Sequence, residues 1–440
     1  MTRLFLSFIL LGVSSALSAQ QPMIPAELGT IPLTGDDAAR SNEINYGLTV
    51  STTVDDNATD PANFGSGEIN VLSSIRPEAK LTLNRTRFIS GLFYAPAFTY
   101  SSKIDSYNST AQAAGADVEY FFTKRLSLNF HSAFSLTNNT YERLQANSQI
   151  PSLGILNQAN TSALGIDVRD RTGGAQANLV YRLGRHTSVG LGGTFNDLQY
   201  QGNPATAATA AASLDSRGWS GNAFYSHELT ARYSVGVQYT AQHLSSTGTT
   251  GEFDSLSHQI LGFVSVAVRP TIKLSFFAGP ERSNLDDHFF GAPFSAVASL
   301  SQSSFAGGAD LSWQGQHNGM KASFIQQVND SGLNGQGSML VRTATVDVKH
   351  QIGPLLRLKL FGNYVSNDQL DPLSKTYIPS AASAGIGFEK VVTPHITLNL
   401  SAQRQQFMGG AQVPFLGYQQ RSHEIGTISI SYNFARPLGR

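Results

Sequence analysis

The sequence predicts an all-β fold, a transmembrane up-and-down antiparallel β-barrel of about 18 strands. Three observations support this prediction: a secretory signal at the N-terminus, hydrophobic alternation with a period of two, and connections that alternate between short and long. The alternation is clearest in the last segment, His423–Phe434. One face of this segment carries the apolar residues Ile428, Ile430, Tyr432 and Phe434. The opposite face carries Thr427, Ser429, Ser431 and Asn433, as expected for a strand between two different environments.

The N-terminus has the order of a signal peptide. Arg3 supplies a positive charge, Leu4–Val13 forms an apolar run, and small residues follow up to Ala19. The run is too short for a membrane anchor, which needs about 20 residues. We therefore expect residues 1–19 to be a signal peptide, residues 20–43 a periplasmic linker, residues 44–434 the barrel, and residues 435–440 a C-terminal tail.

The composition agrees with a barrel and excludes some other classes. Charged residues make up 14% of the chain, against about 25% in a typical soluble domain. The mean hydropathy is only −0.13, because each barrel strand combines an apolar lipid-facing side with a polar lumen side. No segment approaches 18 consecutive apolar residues, and the chain has no Cys. The net charge of zero argues against a nucleic-acid partner.

The predicted connections fall into two sets. Short ones, such as Asn84–Arg87 and Thr123–Arg125, alternate with long ones. The long set comprises Asp55–Glu68, Asn138–Arg171, Gln201–Arg217, Arg282–Ser304 and Gln406–Gln420. Short turns on one rim and long loops on the other are typical of barrels in the bacterial outer membrane. An even number of strands then places both termini on the short-turn, periplasmic side. A soluble all-β sandwich, the alternative fold, gives no reason for this alternation.

The terminal strand resembles the sorting signal of outer-membrane β-barrel proteins from Gram-negative bacteria. That signal consists of a Gly, alternating hydrophobic residues and a final aromatic, here Gly426, Ile428, Ile430, Tyr432 and Phe434. The resemblance implies an outer-membrane location, with membrane lipid and the barrel-assembly machinery as partners. Residues 435–440 depart from it, since most members end at the aromatic residue. The turn Phe122–Leu128 is similar to porin-like barrels associated with exopolysaccharide export.

The alternation also assigns charged residues to the lumen. They are Arg76, Glu78, Lys80, Asp117, Glu119, Arg182, Lys273, Asp310, Asp347, Lys349, Arg357, Lys359 and Glu389. We expect them to line a pore for small polar solutes or an exported polysaccharide, unless they only fill the interior with ion pairs. The long segment Asn138–Arg171 is the best candidate for a plug. The alternative function is a non-conducting surface or assembly protein that binds ligands through its long loops.

Catalytic and cofactor motifs are lacking in the sequence. There is no nucleophile elbow, no phosphate-binding Gly-Lys-Ser/Thr loop and no His-Glu-x-x-His. We therefore expect no enzyme activity, no cofactor and no metal. Two minor alternatives are Ca²⁺ binding by loop carboxylates at Asp55-Asp56 and Asp286-Asp287, and a lipid hydrolase using His131 and Ser135.

Overall fold

The computed structural model describes residues 42–60, 63–103, 108–137, 169–201, 215–247, 251–289, 297–330, 338–369, 380–408 and 422–438. These residues form 18 strands: β1 (Glu43–Asp60), β2 (Asn63–Arg85), β3 (Phe88–Ser101), β4 (Ser109–Phe121), β5 (Leu126–Thr137), β6 (Arg169–Arg182), β7 (Thr187–Gln201), β8 (Asp215–Thr230), β9 (Tyr233–Thr247), β10 (Gly251–Arg269), β11 (Ile272–Phe289), β12 (Val297–Gln314), β13 (Asn318–Asp330), β14 (Ser338–Gly353), β15 (Leu356–Gln369), β16 (Ser380–Thr393), β17 (Ile396–Met408) and β18 (Ser422–Pro437). Within these ranges, no helix is long and apolar enough to cross a membrane.

The strands close into one antiparallel barrel. Each strand pairs with its neighbours in the chain, and β1 pairs with β18 from Glu43↔Pro437 to Asp55↔Ile425. Hydroxyl groups reinforce the closing ladder, with Thr49 Oγ1 3.0 Å from Ser431 Oγ. The prediction of a closed up-and-down barrel of about 18 strands is confirmed. The start of β1 and the end of β18 both lie at the short-turn rim. There the Asn84 N–H donates to the side chain of Asn42.

The strands reach further at the long-loop rim than the sequence predicted. Most of Asp55–Glu68 is strand, since β1 ends at Asp60 and β2 begins at Asn63. Likewise, most of Arg282–Ser304 belongs to β11 and β12. Polar residues suggested loops here, but Asp55 and Asn70 are opposite each other in the ladder and fully buried. The carboxylates proposed for Ca²⁺ therefore lie on strands. The plug candidate falls mainly on residues 138–168, outside the described residues.

The outer face of the barrel carries an apolar band with aromatic residues at two levels. In β3, a strand apolar on both faces, the ladder turns Leu92, Tyr94, Phe98 and Tyr100 outward, all of them exposed. Near the short turns, exposed outward aromatics include Tyr181, Tyr233, Trp313 and Phe434. A second set, further from the short turns, includes Phe195, Trp219, Tyr239 and Tyr364. Aromatic residues at two levels are what the interfaces of a bilayer favour.

The inner face contains phenylalanines that lie against glycines of the neighbouring strand. Five pairs stand directly opposite each other in the ladders: Phe93–Gly115, Phe224–Gly190, Phe263–Gly236, Phe277–Gly308 and Phe361–Gly385. In each pair a ring carbon lies 2.2–2.5 Å from the place where a glycine Cβ would be. Only Gly leaves room for the ring there, so the rings cover the wall instead of projecting across the lumen.

The ladder between β12 and β13 is short. Its recorded pairs run from Gln314↔Gly319 to Gly307↔Gln326, although both strands continue beyond that point. Side chains bond to backbone groups that the ladder leaves there. The Val328 N–H donates to Glu281 Oε2 at 3.0 Å, and Gln326 Nε2 donates to the Phe305 carbonyl at 3.2 Å. The bond from Val328 is buried, and it satisfies a backbone N–H that would be costly to leave without a partner.

Candidate functional site

The candidate site is the charged part of the inner wall. The register places Arg76, Glu78, Lys80, Asp117, Glu119, Arg182, Lys273, Asp310, Asp347, Lys349, Arg357, Lys359 and Glu389 on the face that also carries the buried polar residues. In a closed barrel this is the lumen face, because the opposite face carries the exposed apolar residues. All thirteen lie in the half of their strand next to the short turns. The charges therefore form one zone near that rim.

A network of ion pairs joins β15 to β16 in this zone. Glu389 is only 6% exposed in its side chain and accepts hydrogen bonds from two cations. Arg357 Nη1 donates to its Oε1 at 3.0 Å, and Lys359 Nζ donates to its Oε2 at 2.5 Å. Arg357 and Glu389 are directly opposite in the ladder, so the register itself creates this contact. Hydrogen bonds to a buried carboxylate are charge-assisted and short.

Positive charge exceeds negative charge on β13–β16. Lys349 stands directly opposite Lys359, and Lys321 stands opposite Asp347. With Arg357 and Glu389, this arc of the wall contains four cations and two carboxylates. Like charges placed directly opposite each other repel, so Lys349 and Lys359 disfavour the fold unless water or anions screen them. Lys321 was absent from the sequence prediction, although it shares a face with Ser323 by simple alternation.

The opposite wall contains a carboxylate pair with a histidine. β4 and β13 are nine strands apart, which is half the circumference of the barrel. On β4, Asp117 and Glu119 lie on the inner face, and Asp117 Oδ1 is 2.6 Å from Nδ1 of His131. The sequence placed His131 on the polar face of β5 but did not identify this partner, which depends on the β4–β5 register. The two walls thus differ in charge.

Buried amide side chains continue the polar wall on β5 and β6. Asn129 and Asn178 are opposite each other, and Gln176 is opposite His131. All four are at least nine-tenths buried. Both polar atoms of the Asn178 side chain, and Nε2 of His131, lack a hydrogen-bond partner among the described residues. Buried polar atoms without partners are costly, so this part of the wall is polar at the expense of stability.

The structure does not assemble a hydrolase site from His131 and Ser135. The two residues are four positions apart on β5, which corresponds to roughly 13 Å in an extended strand. This separation exceeds hydrogen-bond reach. Among the described residues, no group of three or more His, Cys, Asp or Glu side chains is arranged to hold a metal ion.

The residues of the candidate assembly signal lie on β18, next to the closing ladder. Ile428, Ile430, Tyr432 and Phe434 point outward and are exposed, and Gly426 shares their face. β18 continues past Phe434 to Pro437, paired with the start of β1. The outward side of β18 therefore forms an apolar strip beside the β1–β18 ladder that closes the barrel.

No protein-family model matches the chain, and no curated protein sequence is similar to it. Solved structures do resemble its fold. The siderophore receptor PirA from Pseudomonas aeruginosa is 9% identical with a TM-score of 0.41, covering 90% of this chain and 80% of that chain. OccAB3 from Acinetobacter baumannii is 8% identical with a TM-score of 0.42, covering 90% and 99%. The outer membrane protein OpdK from Pseudomonas aeruginosa is 9% identical with a TM-score of 0.40, covering 89% and 99%.

These structural neighbours are bacterial outer-membrane proteins, and the likeness concerns the barrel fold alone. The class defined by the fold is a closed antiparallel β-barrel with 18 strands, an apolar outer face and a polar, charged inner face.

Proposed function

We propose that this chain is an outer-membrane barrel whose lumen conducts small polar solutes. The single observation that carries the proposal is that the outer and inner faces of the barrel differ in polarity. Large apolar side chains are exposed outside, and the ion-paired charges, amides and hydroxyls lie inside. A wall with this polarity needs lipid on one side and water or polar matter on the other.

The height of the apolar band supports a membrane location. On β18 the outward residues from Gly426 to Phe434 carry no charge, and the charged residues Glu424 and Arg436 flank them. At about 3.3 Å per residue and a strand tilt of about 40°, the uncharged stretch spans roughly 20 Å of the barrel axis. The two flanking charges are roughly 30 Å apart on the same basis. The apolar band that surrounds outer-membrane barrels is about 25 Å high, which lies between these two values.

The lumen has two features that suit conduction. A barrel of 18 strands is wide enough for an aqueous channel. The phenylalanines of the inner face lie against glycines of the neighbouring strand, so their rings are part of the wall. The charge difference between β4 and β13–β16 would also place a transverse field across the passing solute.

Conductance in planar bilayers tests the proposal. Purified protein is first shown to be folded by its heat-dependent migration in SDS gels. Addition to a bilayer in KCl should then give stepwise current increases of one main size. Folded, inserted protein that carries no current would overturn the pore and favour the non-conducting surface or assembly role.

A second candidate solute is a neutral glycan. The partly exposed amides Asn399, Gln403 and Gln405 on the inner face of β17 favour it, because amides both donate and accept hydrogen bonds with sugar hydroxyls. A neutral oligosaccharide added to the open channel should then interrupt the current in proportion to its concentration. Gln403→Ala should weaken this block, whereas a purely ionic channel would show no block in either protein.

A further inference from the structure

The outer face of β6–β8 has a sharp boundary between apolar and charged residues. Phe195 and Trp219 stand opposite each other, and both are about half exposed. Two residues further towards the long-loop rim, Asp197 stands opposite Arg217. Exposed aromatic residues favour the interface between hydrocarbon and headgroups. The charged pair therefore lies at headgroup level, just beyond the hydrocarbon.

Two arginines converge on one carboxylate at this boundary. Arg171 Nη2 is 3.5 Å from Asp197 Oδ2, and Arg217 Nε is 3.2 Å from Asp197 Oδ1. The side chains of Arg171 and Arg217 are 45% and 65% exposed, whereas that of Asp197 is only 14% exposed. The cluster contains two cations and one anion, and the two cations are more exposed to the surroundings than the anion. We call Arg171, Asp197 and Arg217 the arginine clamp.

We propose that the arginine clamp binds the phosphate group of a membrane lipid in the leaflet on the long-loop side. Each guanidinium has five N–H donors in a planar fork, a geometry that matches phosphate oxygens. Asp197 holds the two guanidinium groups near each other, so less side-chain entropy is lost when the lipid binds. The position of the clamp at headgroup level selects a lipid phosphate rather than a soluble anion.

Trp219 completes the site on its apolar side. Its ring stacks on His243 with centroids 5.5 Å apart and planes 20° apart, and this contact restricts the orientation of the indole. The exposed face of Trp219 lies beside the clamp, where the first carbons of a lipid chain would run. The proposal rests on the membrane location proposed above and does not depend on whether the lumen conducts.

The chain supplies a matched control on the same rim. Arg404 and Glu424 are opposite each other on the outer faces of β17 and β18, with Arg404 Nη1 3.6 Å from Glu424 Oε1. Their side chains are 61% and 64% exposed, so Arg404 is as accessible as the clamp arginines. This pair has one cation for one anion, so its net charge is zero.

Fluorescence quenching gives a direct measurement. The chain has two tryptophans, and Trp313→Phe leaves Trp219 as the single reporter. The protein is placed in phosphatidylcholine vesicles, and brominated phosphatidic acid is added in increasing fractions. Quenching should saturate at a low fraction. Arg171→Gln with Arg217→Gln should weaken the apparent affinity by about tenfold or more, since two charge-assisted contacts are lost.

Two further variants test the interpretation. Arg217→Lys keeps the charge but loses the fork, so an intermediate loss is expected. Arg404→Gln should leave the affinity unchanged. Equal losses at Arg404 and at the clamp, or unchanged quenching in the double variant, would overturn the proposal. Failure to insert into vesicles at all would instead count against the proposed membrane function, and heat-dependent gel migration separates these cases.

Discussion

Two glycines on β16 test whether the inner wall depends on rings lying against it. Gly385 and Gly387 share the inner face of the same strand. A Cβ at Gly385 would be 2.3 Å from Phe361 Cζ and 2.9 Å from the Ala402 carbonyl oxygen. A Cβ at Gly387 would meet its nearest atom, the Leu400 carbonyl oxygen, at an ordinary 3.7 Å. The same substitution therefore meets an obstacle at Gly385 and only ordinary van der Waals contacts at Gly387.

The expected free energies follow from these distances. Gly385→Ala must displace the Phe361 ring and shift the backbone, and such overpacking costs about 1–3 kcal/mol. Gly387→Ala should be neutral or stabilising by up to about 1 kcal/mol, since Ala restricts the unfolded chain without strain. Neither glycine has the positive φ that would disfavour Ala. Urea unfolding in detergent micelles, followed by tryptophan fluorescence, measures both changes against the unmodified chain.

A double variant distinguishes the ring from the backbone as the obstacle. Phe361→Ala removes the ring, so adding Gly385→Ala to it should cost less than adding the same change to the unmodified chain. Residues in contact are expected to be non-additive in this way. Equal destabilisation by Gly385→Ala and Gly387→Ala would refute the argument, because it would mean that the ring does not lie on Gly385.

Further predictions concern the two faces and the lumen charge. Ile428→Arg places a charge on the lipid face and should cost about 2–4 kcal/mol, whereas Ser429→Arg on the lumen face should be tolerated; equal unfolding midpoints would show that the faces are misassigned. Glu389→Gln leaves Arg357 and Lys359 without their shared carboxylate, so the reversal potential in a KCl gradient should move towards chloride preference. Lys321→Gln should move it towards potassium. Each shift should be roughly twofold in permeability ratio, because a single charge contributes only part of the field at the wall.

The sequence predicts well whatever depends on one strand alone. A period of two along β18 places Ile428 and Ser429 on different faces, and the structure agrees because side chains alternate in any extended strand. The same local rule predicted the number of strands and the short turns. Loop positions were less predictable. Asp55 appeared to be a loop residue from its polarity, yet it belongs to a ladder that extends beyond the apolar band.

Contacts between strands could not be predicted, because they depend on register. The sequence alone does not show that Phe361 is opposite Gly385, or that Lys349 is opposite Lys359. A shift of one residue between β14 and β15 would separate the two lysines. The partner of His131 was missed for the same reason, since Asp117 becomes its neighbour only through the β4–β5 pairing.

The position of the lumen charges, more than their number, determines where a solute would be selected. The cations of β13–β16 and the carboxylates of β4 occupy opposite walls in the same half of the barrel. Fields from such walls act within about one Debye length, near 8 Å at physiological ionic strength. In the long-loop half, the described residues of the inner face include the buried carboxylates Asp55 and Glu281 but no arc of cations like that of β13–β16. A solute therefore meets the transverse field near the short turns, and substitutions of the charges there should change ion preference more than substitutions of uncharged inner residues in the long-loop half.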